Sequence, residues 1–273
     1  MSSTFLYGFH VPANGIRHHL LRYGGKGPKL LVVPGITSPA VTWGFVAETL
    51  AQHFDVNVLD VRGRGLSSSG PELDYGLDAL ATDVTAVLSA LDWQEATVLG
   101  HSMGARIAVR AAAHMPSRFG RLLLIDPPVG GPGRRPYPAP LAWYIDSIRL
   151  MAAGQPWEEL KRFSPTWTEA QLRLRAQWLH TCDEKAIEEA WNGFHNDDVH
   201  ANFASLTVPG LLMIAGRGGV ILDEDAAEIA RLAPGLKQVV ATDAGHMIPW
   251  DDEAGFFRLL GQYLNLSFHP EGA

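Results

Sequence analysis

The stretch ATVLGHSMGAR, residues 96–106, decides the fold of this chain. It opens with a short apolar run, which predicts a strand, and Met103–His114 then carries apolar residues at helical spacing. Between them, Gly100 to Gly104 has the pattern G-x-S-x-G of a nucleophile elbow, a tight turn that exposes a serine between a strand and a helix. Glycines are needed on both sides because a Cβ there would strike neighbouring backbone. The motif predicts that Ser102 is a catalytic nucleophile at a helix N-terminus, where developing negative charge is favoured.

Outward from this turn, short runs rich in Leu, Val and Ile alternate with segments of helical period. The predicted strands are Lys29–Val33, Val56–Asp60, Ala96–Gly100, Arg121–Ile125, Leu211–Ala215 and Gln238–Thr242. The predicted helices are Phe45–Phe54, Leu77–Leu91, Met103–His114, Asp225–Leu232 and Asp252–Leu264. This alternation predicts an α/β fold, a mostly parallel, doubly wound sheet. The strands are so apolar that we expect helices to cover both of their faces.

One region breaks the alternation. About eighty residues between Ile125 and Leu211 contain no convincing strand and begin with a Gly- and Pro-rich stretch. A structureless loop of that length is improbable in a compact domain, so we interpret residues 130–205 as an inserted helical cap, with residues 1–129 and 206–273 as the catalytic core. The cap contains five tryptophans, which are Trp143, Trp157, Trp167, Trp178 and Trp191. Their favoured role is packing of the cap against the sheet, and ligand contact is the alternative.

Composition limits the classes of partner. The 273 residues include 22 Lys plus Arg and 29 Asp plus Glu, a net charge of −7, which argues against nucleic acid or an anionic membrane as a partner. No stretch is long and apolar enough for a membrane span, and the N-terminal stretch does not resemble a signal peptide. The single cysteine, Cys182, cannot form an internal disulfide. We therefore expect a cytoplasmic protein with a small-molecule partner.

A serine nucleophile needs a general base, and on this kind of fold the base follows the last strand. Of eleven histidines, His246 has this position, in the segment Asp243–Met247 just before the final predicted helix. We predict that His246 is the general base. No spacing of His, Cys and Asp resembles a metal site, so we expect no metal and no cofactor.

The acidic member of the site is less clear from the residues alone. An Asp is common after the strand that precedes the histidine's strand, but here that place reads Gly216-Arg217-Gly218-Gly219. Asp126 ends the predicted strand after the elbow and can orient the imidazole from there. Its position before Pro127 is also typical of a plain strand-to-loop turn. Asp223 and Asp225 are the alternatives.

An acyl-transfer site also needs N–H donors for the oxyanion. The residue after the nucleophile, Met103, supplies one, and Ile36, in the loop after an early strand, is the expected second donor. The alternative for the Ile36 loop is an ordinary β-to-α connection.

An anionic substrate would need a local cation, because the net charge of the chain is negative. Arg64 and Arg217 lie on loops at the expected active edge and are the candidates for binding a substrate carboxylate in a two-pronged hydrogen bond. A structural ion pair is the alternative for each.

The elbow, the histidine loop and the order of the strands resemble the α/β-hydrolase superfamily over essentially the whole chain. A narrower resemblance is to the N-formylmaleamate deformylases of aerobic nicotinate degradation, carried by TSPAVTWGFVAE, GHSMGAR, IDPPVGGPGRRPYP, AGRGGVI and AGHMIPWDD. In that family the triad lies in the elbow, the IDPP turn and the AGHM loop. The resemblance therefore places it on Ser102, Asp126 and His246.

The resemblance implies hydrolysis of N-formylmaleamate, a small carboxylate, by water to maleamate and formate through a formyl-enzyme. The chemistry suits a serine, because the amide nitrogen shares its lone pair with a second carbonyl and leaves the formyl carbon more electrophilic. One alternative is a hydrolase of another ester or carbon–carbon bond. The other is a ligand-binding relative without turnover, which an intact triad argues against.

Overall fold

The computed structural model describes residues 3–270. Within them lie eight strands: β1 (Phe5–Ala13), β2 (Ile16–Tyr23), β3 (Lys29–Val33), β4 (Asp55–Leu59), β5 (Ala96–His101), β6 (Phe119–Ile125), β7 (Gly210–Ala215) and β8 (Leu236–Ala241). They form one sheet in the order β1-β2-β4-β3-β5-β6-β7-β8. Strands β3 to β8 are parallel, and β1 and β2 join this sheet antiparallel at the β4 side.

The same residues form ten α-helices, and three short 3-10 helices connect other elements. The α-helices are α1 (Gly44–Leu50), α2 (Leu77–Ala90), α3 (Met103–His114), α4 (Leu141–Ala152), α5 (Glu169–Leu179), α6 (Glu184–Asn196), α7 (His200–Ala204), α8 (Asp223–Leu232), α9 (Ile248–Asp251) and α10 (Glu253–Leu264). Strands β4, β5 and β7 are buried along their whole length because side chains on both of their faces pack against other elements.

The six predicted strands are all present, each within two residues of its expected bounds. The expectation that all of them are covered on both faces is wrong for β8. This strand is the edge of the sheet, and Val240 on it is 51% exposed.

The pattern also missed the β1–β2 hairpin. Its tight turn, Asn14-Gly15, has positive φ at both residues, which is the arrangement that Asn-Gly favours between two strands.

The chain between β6 and β7 forms helices α4 to α7 and the 3-10 helix Trp157–Arg162, with no strand between residues 126 and 209. We call residues 130–205 the cap and the rest of the described chain the core. The loops that follow β3, β5, β6 and β8 all leave the carboxyl edge of the sheet, because these strands are parallel. Residues far apart in sequence therefore meet at this edge.

Candidate active site

The turn between β5 and α3 holds Ser102 in a rare backbone conformation, with φ 54° and ψ −121°. The two flanking glycines allow it. A Cβ on Gly100 would lie 2.6 Å from the Cα of Ala105, and one on Gly104 would lie 2.6 Å from the carbonyl oxygen of Pro34. The strain presents the serine side chain at the start of α3, as the G-x-S-x-G pattern predicts.

Three side chains from separate loops meet at this point. The Nε2 atom of His246 lies 2.9 Å from the Oγ atom of Ser102, and its Nδ1 atom lies 2.7 Å from Oδ2 of Asp126. Asp126 is fully buried, whereas the His246 side chain remains about a fifth exposed. The arrangement is a continuous hydrogen-bonded chain from a carboxylate through an imidazole to a hydroxyl.

The partners of His246 determine where its proton lies. The carboxylate of Asp126 can only accept, so Nδ1–H of His246 donates to it. Nε2 is then left with a lone pair, which accepts the hydroxyl hydrogen of Ser102. This is the tautomer that a general base needs in order to take a proton from the serine.

The structure brings Asp126, and not Asp223 or Asp225, to the histidine. Asp126 Oδ1 accepts the backbone N–H of Ala215 at 3.1 Å, which fixes the carboxylate behind the end of β7. The loop after β7 has Gly219 at the place where an acid is common, with a φ of 66° that residues with a Cβ rarely adopt. Asp223 is exposed on α8, and Asp225 pairs with an arginine of the cap.

The two expected oxyanion donors come from separate segments, the start of α3 and the loop after β3. Met103 is the first residue of α3, so its N–H has no acceptor within the helix. Ile36 lies in the loop after β3 and borders the same cavity as Ser102. Arg64 joins the two segments: its Nε–H donates to the Ile36 carbonyl at 3.0 Å, and its Nη2 lies 3.5 Å from the Met103 Sδ atom.

A cavity of about 400 Å³ opens above Ser102 and His246. Its floor is formed by core residues, which are Gly35–Ser38, His101, Ser102, Gly218, Val220, His246 and Met247. Its roof is formed by cap residues, among them Tyr137, Trp143, Tyr144, Phe163, Trp167 and Arg175. The floor carries the triad serine and histidine, and five of the eleven cap residues in the roof are aromatic.

Neither arginine expected to bind a substrate carboxylate borders this cavity. Arg64 is buried beneath the floor, where it donates to the backbone carbonyls of Ile36, Arg62 and Ala186. Arg217 is exposed outside the cavity and pairs with Asp243 at 2.9 Å. For Arg217 the structure therefore shows a structural ion pair, which was the alternative to carboxylate binding. Arg175 of α5 borders the cavity instead.

Sequence reasoning also missed His101, although it lies inside the elbow motif. Its Nε2–H donates to the backbone carbonyl of His246 at 3.0 Å. Burial, reinforced by the nearby His246, lowers the pKa of His101 to about 3. His101 is therefore a neutral side chain that links the elbow to the histidine loop.

Three of the five cap tryptophans illustrate the two roles considered for them, which are packing and contact with a ligand. Trp143 and Trp167 border the cavity. Trp167 also stacks on Trp250 of the core, with ring centroids 5.1 Å apart and planes 9° apart. Trp191 packs within the cap and donates its Nε1–H to the carbonyl of Ala139. Packing and cavity lining are thus combined in Trp167.

A model of the alpha/beta hydrolase fold family matches residues 28–253. The chain belongs to the α/β-hydrolase family. The sheet order, the elbow and the position of His246 after β8 are those that the family resemblance implied.

Within this family, the chain is similar over nearly its full length to an N-formylmaleamate deformylase of Pseudomonas putida. The two sequences are 56% identical over 98% of this chain and 99% of that protein. A crystal structure of an N-formylmaleamic acid deformylase variant from another Pseudomonas putida strain superposes with a TM-score of 0.90, at 54% identity over 93% of this chain and all of that one. A 2-(acetamidomethylene)succinate hydrolase of Mesorhizobium japonicum is 28% identical over 84% of each chain.

No group of three or more His, Cys, Asp and Glu side chains within residues 3–270 could hold a metal ion. None of the helices in the same range has the length and hydropathy needed to cross a bilayer.

Proposed function

We propose that this hydrolase cleaves the N-formyl amide of N-formylmaleamate, giving maleamate and formate, with Ser102, His246 and Asp126 as its triad. The full-length likeness to a deformylase, at 56% identity, carries the choice of reaction. The hydrogen-bonded array from Asp126 to Ser102 supports the choice of residues.

In the first half of the reaction, His246 Nε2 takes the hydroxyl proton of Ser102 as Oγ bonds to the formyl carbon. The formyl oxygen becomes an oxyanion, which the N–H groups of Ile36 and Met103 stabilise. The protonated His246 then gives its proton to the amide nitrogen as the carbon–nitrogen bond breaks. Maleamate leaves with an NH₂ group, and the formyl group stays on Ser102 as an ester.

In the second half, a water molecule enters the space that maleamate has left. His246 takes a proton from this water, and the oxygen attacks the formyl ester. The second oxyanion collapses, Ser102 Oγ leaves and recovers the proton from His246, and formate is released. Asp126 stays ionised throughout and stabilises the imidazolium that forms twice in each cycle.

A second relative supports the class of substrate. The 2-(acetamidomethylene)succinate hydrolase is named for a compound that also combines an acylated nitrogen with carboxylate groups. A site that accepts an acyl amide of an unsaturated acid is therefore compatible with this fold and its cap.

The test is formate release from N-formylmaleamate, measured beside a panel of simple alkyl esters with the same enzyme. We expect N-formylmaleamate to have the highest kcat/KM of the panel by at least about tenfold. Faster hydrolysis of an ester, or no formate release by an enzyme that cleaves esters, would favour the esterase alternative. Absence of turnover with every compound, together with no labelling of Ser102 by a serine-directed phosphonate, would favour a ligand-binding protein.

We also propose that the reaction takes place in the cytoplasm and needs no co-substrate except water. Cys182 is a buried free thiol, and burial raises its pKa to about 12. A thiol that stays protonated and free is in keeping with a reducing compartment.

A further inference from the structure

We propose that Arg175 in the roof of the cavity binds the carboxylate of the substrate and makes the enzyme selective for monoanionic acids. The inference rests on the proposed function and deepens it by assigning the residue that recognises the negative charge. Arg175 lies on α5 in the cap, about seventy residues after the nucleophile in sequence, and no motif marks it.

Arg175 is the one lysine or arginine among the described residues that border the cavity, and no Asp or Glu borders it. The residue is 8% exposed. Burial lowers its pKa, but an arginine side chain still remains charged near neutral pH. The cavity therefore has a fixed positive charge in its roof, in a wall without acidic side chains among the described residues.

This charge has no carboxylate partner within residues 3–270. Two of its five N–H groups have acceptors there: Nη1 donates to the Thr37 carbonyl at 3.0 Å, and Nη2 donates to Thr37 Oγ1 at 2.9 Å. Nε is buried without any acceptor in the described chain. A buried cation with so few partners is costly for a folded protein unless an anion compensates it.

Two other buried arginines show how this protein compensates such a charge away from the cavity. Arg64 donates to three backbone carbonyls, and Arg106 donates to four. Neither of them borders the cavity. Arg175 has one carbonyl, one hydroxyl and the Trp167 ring, whose centroid lies 5.4 Å from its guanidinium carbon, and it borders the cavity. Of these three buried arginines, the one beside the cavity therefore has the fewest hydrogen-bond acceptors.

Two tyrosine hydroxyl groups border the cavity together with Ser102 and Arg175. Tyr137 and Tyr144 both border the cavity, and their hydroxyl oxygens lie 3.0 Å apart. Burial raises the pKa of Tyr137 well above its usual value, and the nearby Ser102 hydroxyl acts in the opposite direction. Burial also raises the pKa of Tyr144, while its hydrogen bond with Tyr137 and the positive charge of Arg175 oppose that rise.

The substrate has the matching order of groups. In N-formylmaleamate the formyl group and the carboxylate are the two ends of one short chain, with an amide and a cis double bond between them. With the formyl carbon at Ser102 and the carboxylate at Arg175, the amide group lies beside Tyr137 and Tyr144, which can donate to its oxygen. A neutral ester of the same acid would leave Arg175 uncompensated.

A binding experiment tests this without turnover. In a Ser102→Ala background, isothermal titration calorimetry compares maleamate, a monoanion, with maleamide, its neutral diamide. We expect Arg175→Met to weaken maleamate binding by about tenfold to a hundredfold and to change maleamide binding by less than about twofold. Arg175→Lys, which keeps the charge but loses the planar fork, should fall between the two.

Arg217→Ala is the matched control, because it also removes one arginine charge but from a position outside the cavity. We expect it to leave the binding of both compounds unchanged. A thermal melt of each variant reports whether it is folded. If Arg175→Met does not fold, Arg175→Lys takes its place in the binding comparison.

Three results would overturn the role of Arg175. One is unchanged maleamate affinity in Arg175→Met. Another is equal weakening of maleamate and maleamide, which would make Arg175 a brace for the Thr37 loop. The third is a failure of maleamate to bind the Ser102→Ala parent. Failure of the proposed function is separate, since formate release by the wild-type enzyme reports on that and binding of maleamate does not.

Discussion

The floor and the roof of the cavity differ in how their polar groups are supported. In the floor, each reactive side chain is fixed by a second group: Asp126 by the N–H of Ala215, His246 by Asp126, and Ser102 by the strained turn. In the roof, Arg175 has few partners and borders an open space. The difference supports the proposal that the core performs the chemistry and the cap selects the substrate.

The largest effect is expected at the nucleophile. Ser102→Ala removes the atom that bonds to the formyl carbon, so kcat should fall by a factor on the order of 10⁶, whatever the charge of the substrate. Stopped assays of formate measure this loss. The roof should be unaffected, and maleamate should still bind to the variant. A residual rate within about a hundredfold of wild type would show that Ser102 is not the nucleophile.

The next largest effect is expected at the acid. Asp126→Ala leaves His246 without the carboxylate that fixes its tautomer, and we expect kcat to fall by about 10⁴. The matched control is Asp223→Ala, because Asp223 is exposed on α8 and forms no hydrogen bond with a triad member in the described chain. The control should keep wild-type kcat. If Asp223→Ala lost activity and Asp126→Ala kept it, the acid would have to be reassigned.

A smaller effect is expected beneath the floor, at Arg64. This side chain connects the Ile36 carbonyl to Met103, so Arg64→Lys should disturb the two oxyanion donors together. We expect kcat to fall by roughly tenfold for charged and neutral substrates alike, with little change in KM. Steady-state kinetics on N-formylmaleamate and its methyl ester measure both parameters. A change confined to KM for the anionic compound would instead make Arg64 a substrate-binding residue.

The smallest effect is on stability, at His101. Its pKa is lowered to about 3 by burial, against 6.5 in an unfolded chain. Between these values the unfolded chain binds a proton that the folded chain does not, so this contribution to stability is complete above about pH 6.5 and declines as pH falls towards 3. Urea unfolding of His101→Gln should show a weaker loss of stability between pH 7 and 5 than wild type does, by up to about 1.4 kcal/mol per pH unit below 6.5. Parallel curves for the two proteins would contradict this.

Much of the floor could be predicted from the sequence, because parallel strands end at one edge and the loops after them must meet there. The G-x-S-x-G turn placed Ser102, and the loop after the last strand placed His246. Asp126 was harder, because the loop after β7 carries glycines where an acid is common. In the structure Gly219, at the place where the acid is common, has a φ of 66°, which residues with a Cβ rarely adopt.

The roof could not be predicted in this way. Arg175 lies in the middle of α5, where its spacing is that of an ordinary helical residue, and its contact with Thr37 spans 138 positions of the chain. The arginines on loops near the sheet edge, Arg64 and Arg217, were natural candidates but have structural partners. A signal that was available but unused is Asn14-Gly15, which indicates the β1–β2 hairpin.

We propose that the floor of the cavity performs the reaction and that its roof selects the substrate. The test is a ratio of two kcat/KM values for formate release, that for N-formylmaleamate divided by that for its neutral methyl ester. The ratio is measured for wild type, Arg64→Lys and Arg175→Met. We predict a ratio well above one in wild type, the same ratio with lower rates in Arg64→Lys, and a ratio near one in Arg175→Met. A wild-type ratio that Arg175→Met retains, or that Arg64→Lys lowers equally, would contradict the division between floor and roof.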